Sequence, residues 1–208
     1  MKMRFALAAA MLLGGVMAMP AMAQTAPAQG DPVAAEKSKA KDDESGVYVS
    51  AGINLYFVDK DYAATGIPIE FKDQPSPGAF VGRIGYAFNK YLAVEGELGI
   101  GGAKSDYGNN DVTLGNIGVE KPMAAHVVGR LPLADGGMYL LGRAGYTSFT
   151  VTREYNGRSA SDLKLKGASF GGGVGARYGS WDFQFEYTMV SADEADSGVL
   201  GMFVQKRF

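Results

Sequence analysis

Apolar and polar side chains alternate with a period of two along most of the chain after Gly46, and this pattern restricts the fold more than any other feature. Between Leu92 and Ile100, large apolar residues occupy one parity, while Ala, Glu and Gly occupy the other. Between Trp181 and Thr188, four aromatic residues alternate with Asp, Gln, Glu and Thr. Successive side chains of a strand point to opposite faces of a sheet, so the pattern predicts an all-β fold.

We predict eight strands, joined by connections whose lengths alternate. The strands lie near residues 47–58, 78–88, 91–101, 119–131, 138–151, 168–178, 181–190 and 198–208. The tight connections are 89–90, 132–137 and 179–180; the long polar ones are 59–77, 102–118 and 152–167, with 191–197 intermediate and acidic. Tilted strands of about 9–11 residues are long enough to cross hydrocarbon. Short turns on one rim and long loops on the other are typical of an antiparallel up-and-down transmembrane β-barrel.

The first 23 residues predict export. Lys2 and Arg4 precede an apolar stretch from Phe5 to Val16, and Ala21-Met22-Ala23 has the small-residue pattern of a signal-peptide cleavage site. A membrane anchor is the alternative, but the stretch is too short to span comfortably. We therefore expect a cleaved signal peptide at 1–23, a flexible periplasmic tether at 24–45 and an outer-membrane barrel at 46–208.

Composition excludes several functions. Lys2 and Arg4 account for two of the 20 basic residues, so the rest of the chain has 18 basic against 22 acidic residues, a net charge of −4. This balance argues against nucleic acid as a partner, which requires a basic face. The chain has no cysteine, which excludes disulfides, thiolate chemistry and cysteine-based metal sites.

Alternation alone does not identify the dry face, because a soluble lipocalin-like barrel or a sandwich would carry its apolar face inside. The polar face, however, combines glycine with charges of both signs, which suits the narrow lumen of an eight-stranded barrel. Glycine makes up 30 of 208 residues, about twice the usual share. The charges predicted to form a structural network in the lumen are Arg83, Glu95, Glu97, Arg130, Arg143, Arg177, Asp182 and Glu186.

Aromatic residues gather beside each tight turn, as expected for a girdle at the membrane interface. The predicted girdle comprises Tyr86, Phe88, Tyr91, Tyr139, Tyr178 and Trp181. Phe208, the last residue of the sequence, is also the last residue of the last predicted strand. Pairing of the last strand with the first would close the barrel, and lipid requires this closure because unpaired backbone groups are costly in hydrocarbon.

These segments resemble the small eight-stranded outer-membrane barrels of the OmpA/OmpX-like porin superfamily. The resemblance rests on the signal peptide and on the strands Gly46–Gly52, Phe80–Tyr86 and Leu200–Phe208. It implies a place in the bacterial outer membrane, contact with outer-membrane lipid and lipopolysaccharide, and recognition of Phe208 by the barrel-assembly machinery. Lys206 departs from the family pattern, where an aromatic or apolar residue is usual.

The residues offer little for catalysis. His126 is the only histidine and lies within a predicted strand, and no G-x-S-x-G elbow occurs. Glu95 and Glu97 share a strand face, but lumen arginines are their expected partners. A calcium site at Asn109–Asp111 lacks the spacing of a known loop. We predict no catalytic residue, no metal and no cofactor.

The favoured function is a non-enzymatic barrel that supports the integrity of the envelope and presents surface loops for interaction. Host-surface or phage ligands are candidate partners of those loops by analogy of fold alone. A narrow porin-like channel for small solutes is the alternative, although eight strands leave an interior that side chains just fill. A lipid-modifying barrel enzyme is the third hypothesis.

Overall fold

The computed structural model describes residues 45–58, 76–109, 112–133, 137–160, 162–192 and 195–208. The predicted signal peptide, the predicted tether as far as residue 44 and most of the predicted loop 59–77 lie outside these residues. No helix among the described residues is long and apolar enough to cross a membrane.

The described residues form ten strands. They are β1 (Gly46–Val58), β2 (Gly78–Ala87), β3 (Leu92–Gly101), β4 (Ser105–Asn109), β5 (Val112–Leu133), β6 (Met138–Tyr155), β7 (Arg158–Ser159), β8 (Leu163–Tyr178), β9 (Trp181–Ala192) and β10 (Asp196–Arg207).

Eight of these strands form a closed antiparallel ring in the order β1-β2-β3-β5-β6-β8-β9-β10. The ring closes where β10 pairs with β1, in a register that runs from Tyr48 opposite Arg207 to Val58 opposite Ser197. The short strands β4 and β7 pair only with β5 and β6 and lengthen two hairpins. The predicted eight-stranded antiparallel up-and-down barrel is confirmed.

Two connections predicted as long polar loops, 102–118 and 152–167, are mostly strand instead. In both segments polar residues alternate with Ile, Val or Leu, and each strand continues well past the apolar band of its outer face. Asn156 and Gly157 have φ values of 48° and 71°, and Tyr155 pairs with Arg158. These two left-handed residues make the two-residue turn that favours a hairpin.

The two ends of the barrel are built differently. We call the half nearer the tight turns at 88–91 and 179–180 the lower half, and the other the upper half. In the lower half, apolar side chains point outward: on β9 they run from Trp181 to Met189 and on β6 from Met138 to Tyr146. Runs of this length match the 9–11 residues of a tilted membrane strand.

The upper half has the opposite arrangement, with an apolar core inside the barrel. Phe149 and Val151 on β6 are almost fully buried, while Thr150 between them and Thr152 after them face outward. The apolar core comprises Tyr56, Val58, Ala79, Val81, Ile117, Val119, Phe149, Val151, Leu165, Val190, Val199 and Phe203. The interior is therefore polar at the membrane level and apolar above it.

A bulge in β5 adapts the strand to both environments. Glu120 is opposite Thr150 and Met123 is opposite Ser148, so Lys121 and Pro122 together face one residue of β6. Lys121 has φ of 50°, and Pro122 lacks an N–H, as suits a bulge. The extra residue lets odd-numbered Ile117 and Val119 and even-numbered His126 and Arg130 all point inward.

Candidate functional site

A compact cluster of charges fills the middle of the barrel. Arg83 Nε lies 2.7 Å from Glu97 Oε2, and both Arg83 and Arg143 donate to the same oxygen of Glu186. Arg143 Nη2 is also 3.5 Å from Glu95 and 3.6 Å from Glu97. Two guanidinium groups therefore pair with three carboxylates across the lumen, as buried charges require partners.

Polar side chains from the other strands complete this cluster. Tyr48 donates a hydrogen bond of 2.8 Å to Glu95, and Arg130 lies 3.6 Å from the same carboxylate. Asn54 donates to Glu97 at 3.2 Å. The Arg83 guanidinium also stacks on the Phe203 ring, 3.3 Å from its centroid. Each glutamate is thus held by several donors.

A second group of polar side chains closes the lower end around Asp182. This carboxylate accepts hydrogen bonds from Arg177 at 3.2 Å, from Arg207 at 2.9 Å and from Gln205 at 3.1 Å. Gln184 links Gln205 to Tyr139 through bonds of 3.1 and 2.9 Å. Arg207, Gln205 and Gln184 were absent from the predicted network, although their inward parity could have shown that they belong to it.

All eight charges predicted for the lumen face inward. Seven of them are at most 6 % exposed: Arg83, Glu95, Glu97, Arg130, Arg143, Asp182 and Glu186. Arg177 lies at the rim, and a quarter of its side chain is exposed. Six of the eight form the cluster in the middle of the barrel, and Asp182 and Arg177 belong to the second group at the lower end.

The described side chains pack closely where the charge cluster meets the apolar core. A cavity of about 10 Å³ remains between the charge cluster and the apolar core, and it is lined by Asn54, Tyr56, Arg83, Glu97, His126, Arg143, Thr147, Glu186, Thr188 and Val199. A cavity of this size holds about one water molecule. The charge cluster below and the apolar core above therefore close the barrel in two successive layers.

The lumen also brings His126 to a serine. His126 Nε2 lies 2.9 Å from Ser169 Oγ, and Arg143 Nη2 lies 2.7 Å from His126 Nδ1. Arginine has only donors, so Nδ1 must accept and the proton must reside on Nε2. A general base for a serine needs a free Nε2 and an Nδ1–H held by a carboxylate, so this pair has the wrong tautomer for hydrolysis.

No group of three or more His, Asp or Glu side chains in the described part of the chain is arranged to hold a metal ion. The segment weighed as a calcium loop, Asn109–Asp111, lies almost wholly outside the described residues.

Five of the six predicted girdle aromatics lie on the outer surface near the tight turns. They are Tyr86, Phe88, Tyr91, Tyr178 and Trp181, each more than 40 % exposed. Tyr139 differs from the prediction: it is 3 % exposed and lies inside the lumen, because it shares the inward parity of Leu141 and Arg143. Phe208 is exposed on the same rim, and its N–H donates to the Val47 carbonyl at 3.1 Å.

The chain is similar to known outer-membrane barrels. A family model described as "Outer membrane protein beta-barrel domain" matches residues 7–208. No curated protein matches the sequence.

Solved structures show the same fold at low identity. Ail of Yersinia pestis, in complex with the heparin analogue sucrose octasulfate, is 16 % identical with a TM-score of 0.53, over 79 % of this chain and 99 % of Ail. The N-terminal β-barrel domain of Pseudomonas aeruginosa OprF is 14 % identical with a TM-score of 0.53, over 80 % and 99 % of the two chains. Neisserial surface protein A is 14 % identical with a TM-score of 0.50, over 79 % and 98 %.

Proposed function

Because the chain belongs to the outer membrane protein β-barrel family and lies in the bacterial outer membrane, we propose that it is a closed, non-enzymatic scaffold that stabilises the envelope. The observation that carries this proposal is the double closure of the lumen. Arg83, Arg143 and Glu186 join opposite walls of the barrel at the membrane level, and the apolar core fills the interior above them. A solute would have to displace both layers to cross.

The proposed scaffold role also draws on the upper half of the barrel. The hairpins made by β4 with β5 and by β6 with β7 continue the barrel wall beyond the apolar band, and the polar side chains of Asp106 and Glu154 lie on their outer face. Surface segments on a rigid scaffold commonly carry binding. We assign interaction with surface ligands to these hairpins, and export to a signal peptide cleaved after Ala23.

The geometry of Ser169 and His126 in the lumen supports the non-enzymatic part of this proposal. Ser169 is fully buried, and its contact with His126 uses the Nε2 proton that a general base would need to lack. We therefore interpret the pair as structural hydrogen bonding within the polar layer.

Electrical recordings test the scaffold role against the channel alternative. The folded full-length barrel is inserted into planar lipid bilayers, with a general porin inserted under the same conditions as the positive control. We expect no discrete conductance steps from this protein. Regular steps that shift when Arg83 or Glu97 is neutralised would overturn the proposal and assign a charge-lined channel.

A deletion strain tests the contribution to the envelope. We expect loss of the protein to increase sensitivity to detergents and leakage of periplasmic proteins, and the wild-type gene to reverse both. Rescue by His126→Ala to the same level as wild type is expected of a scaffold. Rescue by wild type but not by a folded His126→Ala protein would point to chemistry instead.

A further inference from the structure

An apolar groove crosses the outer wall of the barrel over β2, β3, β5 and β6. Its volume is about 690 Å³. Small outward residues, Gly82, Gly96 and Ala125, form its floor, and larger ones form its sides. The side residues are Ile84, Leu98, Met123 and Tyr146, all well exposed on the outer surface. The groove lies within the apolar band, so its surroundings are acyl chains.

A second, polar pocket of about 350 Å³ lies on the same strands directly above the groove. Leu98 in the groove and Ile100 in the pocket are successive outward residues of β3, and Met123 and Lys121 are similarly close on β5. The two pockets therefore form one path that runs from the apolar band to the polar upper rim.

Two lysines give the upper pocket its charge. Lys104 and Lys121 both line it, together with one carboxylate, Glu120. The Lys104 side chain is 57 % exposed, and its Nζ lies 3.8 Å from Glu154 Oε2. This long contact between exposed groups contributes little to the stability of the fold. Lys121 is carried outward by the bulge in β5. The side chains that line the pocket thus carry two positive charges and one negative charge, with the Glu154 carboxylate beside Lys104 outside the lining.

We propose that the groove and the pocket together bind one acylated, phosphorylated lipid of the outer leaflet. One acyl chain lies over Gly96, and a headgroup phosphate lies between the ammonium groups of Lys104 and Lys121. The site deepens the scaffold role proposed above, because a lipid held on the barrel wall ties the outer leaflet to a rigid protein. Charge complementarity between the two lysines and a phosphate, directly above an apolar groove, is what identifies the occupant.

Gly96 allows a substitution that fills the groove without straining the barrel. A Cβ at Gly96 would meet no atom within 4 Å, and the same is true of Gly142, which faces outward on β6 outside the groove. Gly96→Leu and Gly142→Leu therefore make the same chemical change on the same lipid-facing surface. Only the first occupies the proposed site.

A matched pair of double variants tests the role of the two lysines in the pocket. Lys121→Asn suits the left-handed backbone at residue 121, and it is combined with Lys104→Gln. Lys164→Gln with Lys166→Gln removes two other exposed lysines from β8, which do not line the pocket. The two double variants have the same net charge.

Binding is measured by native mass spectrometry of the folded full-length barrel in detergent, titrated with bisphosphorylated lipid A and, separately, with dephosphorylated lipid A. We expect one bound lipid A per wild-type barrel. Gly96→Leu and the Lys104/Lys121 variant should weaken its binding at least about tenfold, which corresponds to loss of one charge-assisted contact or its equivalent in packing. Gly142→Leu and the Lys164/Lys166 variant should bind like wild type, and dephosphorylated lipid A should bind wild type only weakly.

Equal lipid A binding by Gly96→Leu and Gly142→Leu would overturn the proposal. Equal losses in the two lysine variants would also overturn it, since they would show a diffuse electrostatic attraction rather than a site. A change of oligomeric state in Gly96→Leu with unchanged lipid A binding would assign the groove to a second copy of the chain. None of these outcomes affects the conductance recordings, so failure of the lipid site and failure of the scaffold role are distinguishable.

Discussion

Tyr48 on β1 and Gly85 on β2 are direct partners in the antiparallel ladder, and the Tyr48 ring occupies the space into which a side chain at residue 85 would point. A Cβ at Gly85 would lie only 2.5 Å from the Tyr48 hydroxyl oxygen. Tyr139 and Gly175 repeat this relationship on β6 and β8. These inward glycines make room for tyrosines whose hydroxyl groups reach the buried carboxylates Glu95 and Asp182.

Gly85→Ala is therefore expected to destabilise the barrel by about 1–3 kcal/mol, the usual cost of overpacking an interior. Unfolding by urea in phospholipid vesicles, followed by the fluorescence of Trp181, the sole tryptophan, measures the change. Gly82→Ala is the control, because residue 82 faces outward on the same strand and its nearest neighbour is 3.9 Å from the added Cβ. Similar stabilities of the two variants would contradict the packing role of Gly85.

Glu186 accepts from two arginines, so its neutralisation is expected to cost more than loss of any surface ion pair. Glu186→Gln leaves Arg83 and Arg143 without one of their carboxylates in a lumen from which water is largely excluded. We expect a loss of about 3–5 kcal/mol in the free energy of unfolding, typical of breaking one partner of a buried charge pair. The same urea titration measures it.

Glu154→Gln is the matched control for Glu186→Gln. Its carboxylate is partly exposed and pairs with Lys104 at 3.8 Å, so the expected loss is below about 1 kcal/mol. Comparable losses for the two variants would show that the buried cluster adds no more stability than a surface contact.

The lower half of the barrel could be predicted from the sequence because its two faces differ so sharply in composition. Phe183 and Phe185 flank Gln184 and precede Glu186, so parity alone assigns one face to lipid and the other to the lumen. Tyr139 was assigned to the girdle because it lies beside a predicted tight turn, without regard to the face of the strand that it occupies. It follows the predicted tight connection 132–137, yet its parity with Arg143 places it inside the barrel.

The upper half was harder to predict because the same alternation there places the apolar side chains inside the barrel instead of on its outer surface. Phe149 and Val151 alternate with threonines, and alternation of this kind is the same in a soluble barrel and in a membrane barrel. The hairpin at Asn156-Gly157 had a recognisable signal, since this dipeptide favours a two-residue turn. The one-residue bulge at Lys121-Pro122 reverses parity within β5, and only the pairing with β6 reveals it.

His126 and Ser169 are expected to support the fold without acting on lipid. In a strain that carries His126→Ala, we expect the composition of outer-membrane lipid A and phospholipid to equal that of the parent, as measured by mass spectrometry of extracted lipids. The physical reason is the Nε2 proton imposed by Arg143, which prevents His126 from accepting the serine proton. A lipid species that disappears in the His126→Ala strain and in a Ser169→Ala strain would reverse this interpretation.

Closure of the lumen by two layers predicts that neither layer alone controls permeation. Phe149 is 1 % exposed and its ring centroid is 4.8 Å from that of Tyr56, so Phe149→Ala opens space in the upper core and is expected to cost about 3–5 kcal/mol. It should still give no conductance in planar bilayers, because Arg83, Glu97 and Glu186 continue to block the level below. Glu186→Ala should likewise stay closed, because the apolar core above it remains.

Combining Phe149→Ala with Glu186→Ala is expected to produce conductance steps, provided that heat-modifiable gel mobility shows the double variant to be folded. Steps from folded Phe149→Ala alone would show instead that the charge cluster passes ions and that the apolar core is the only barrier.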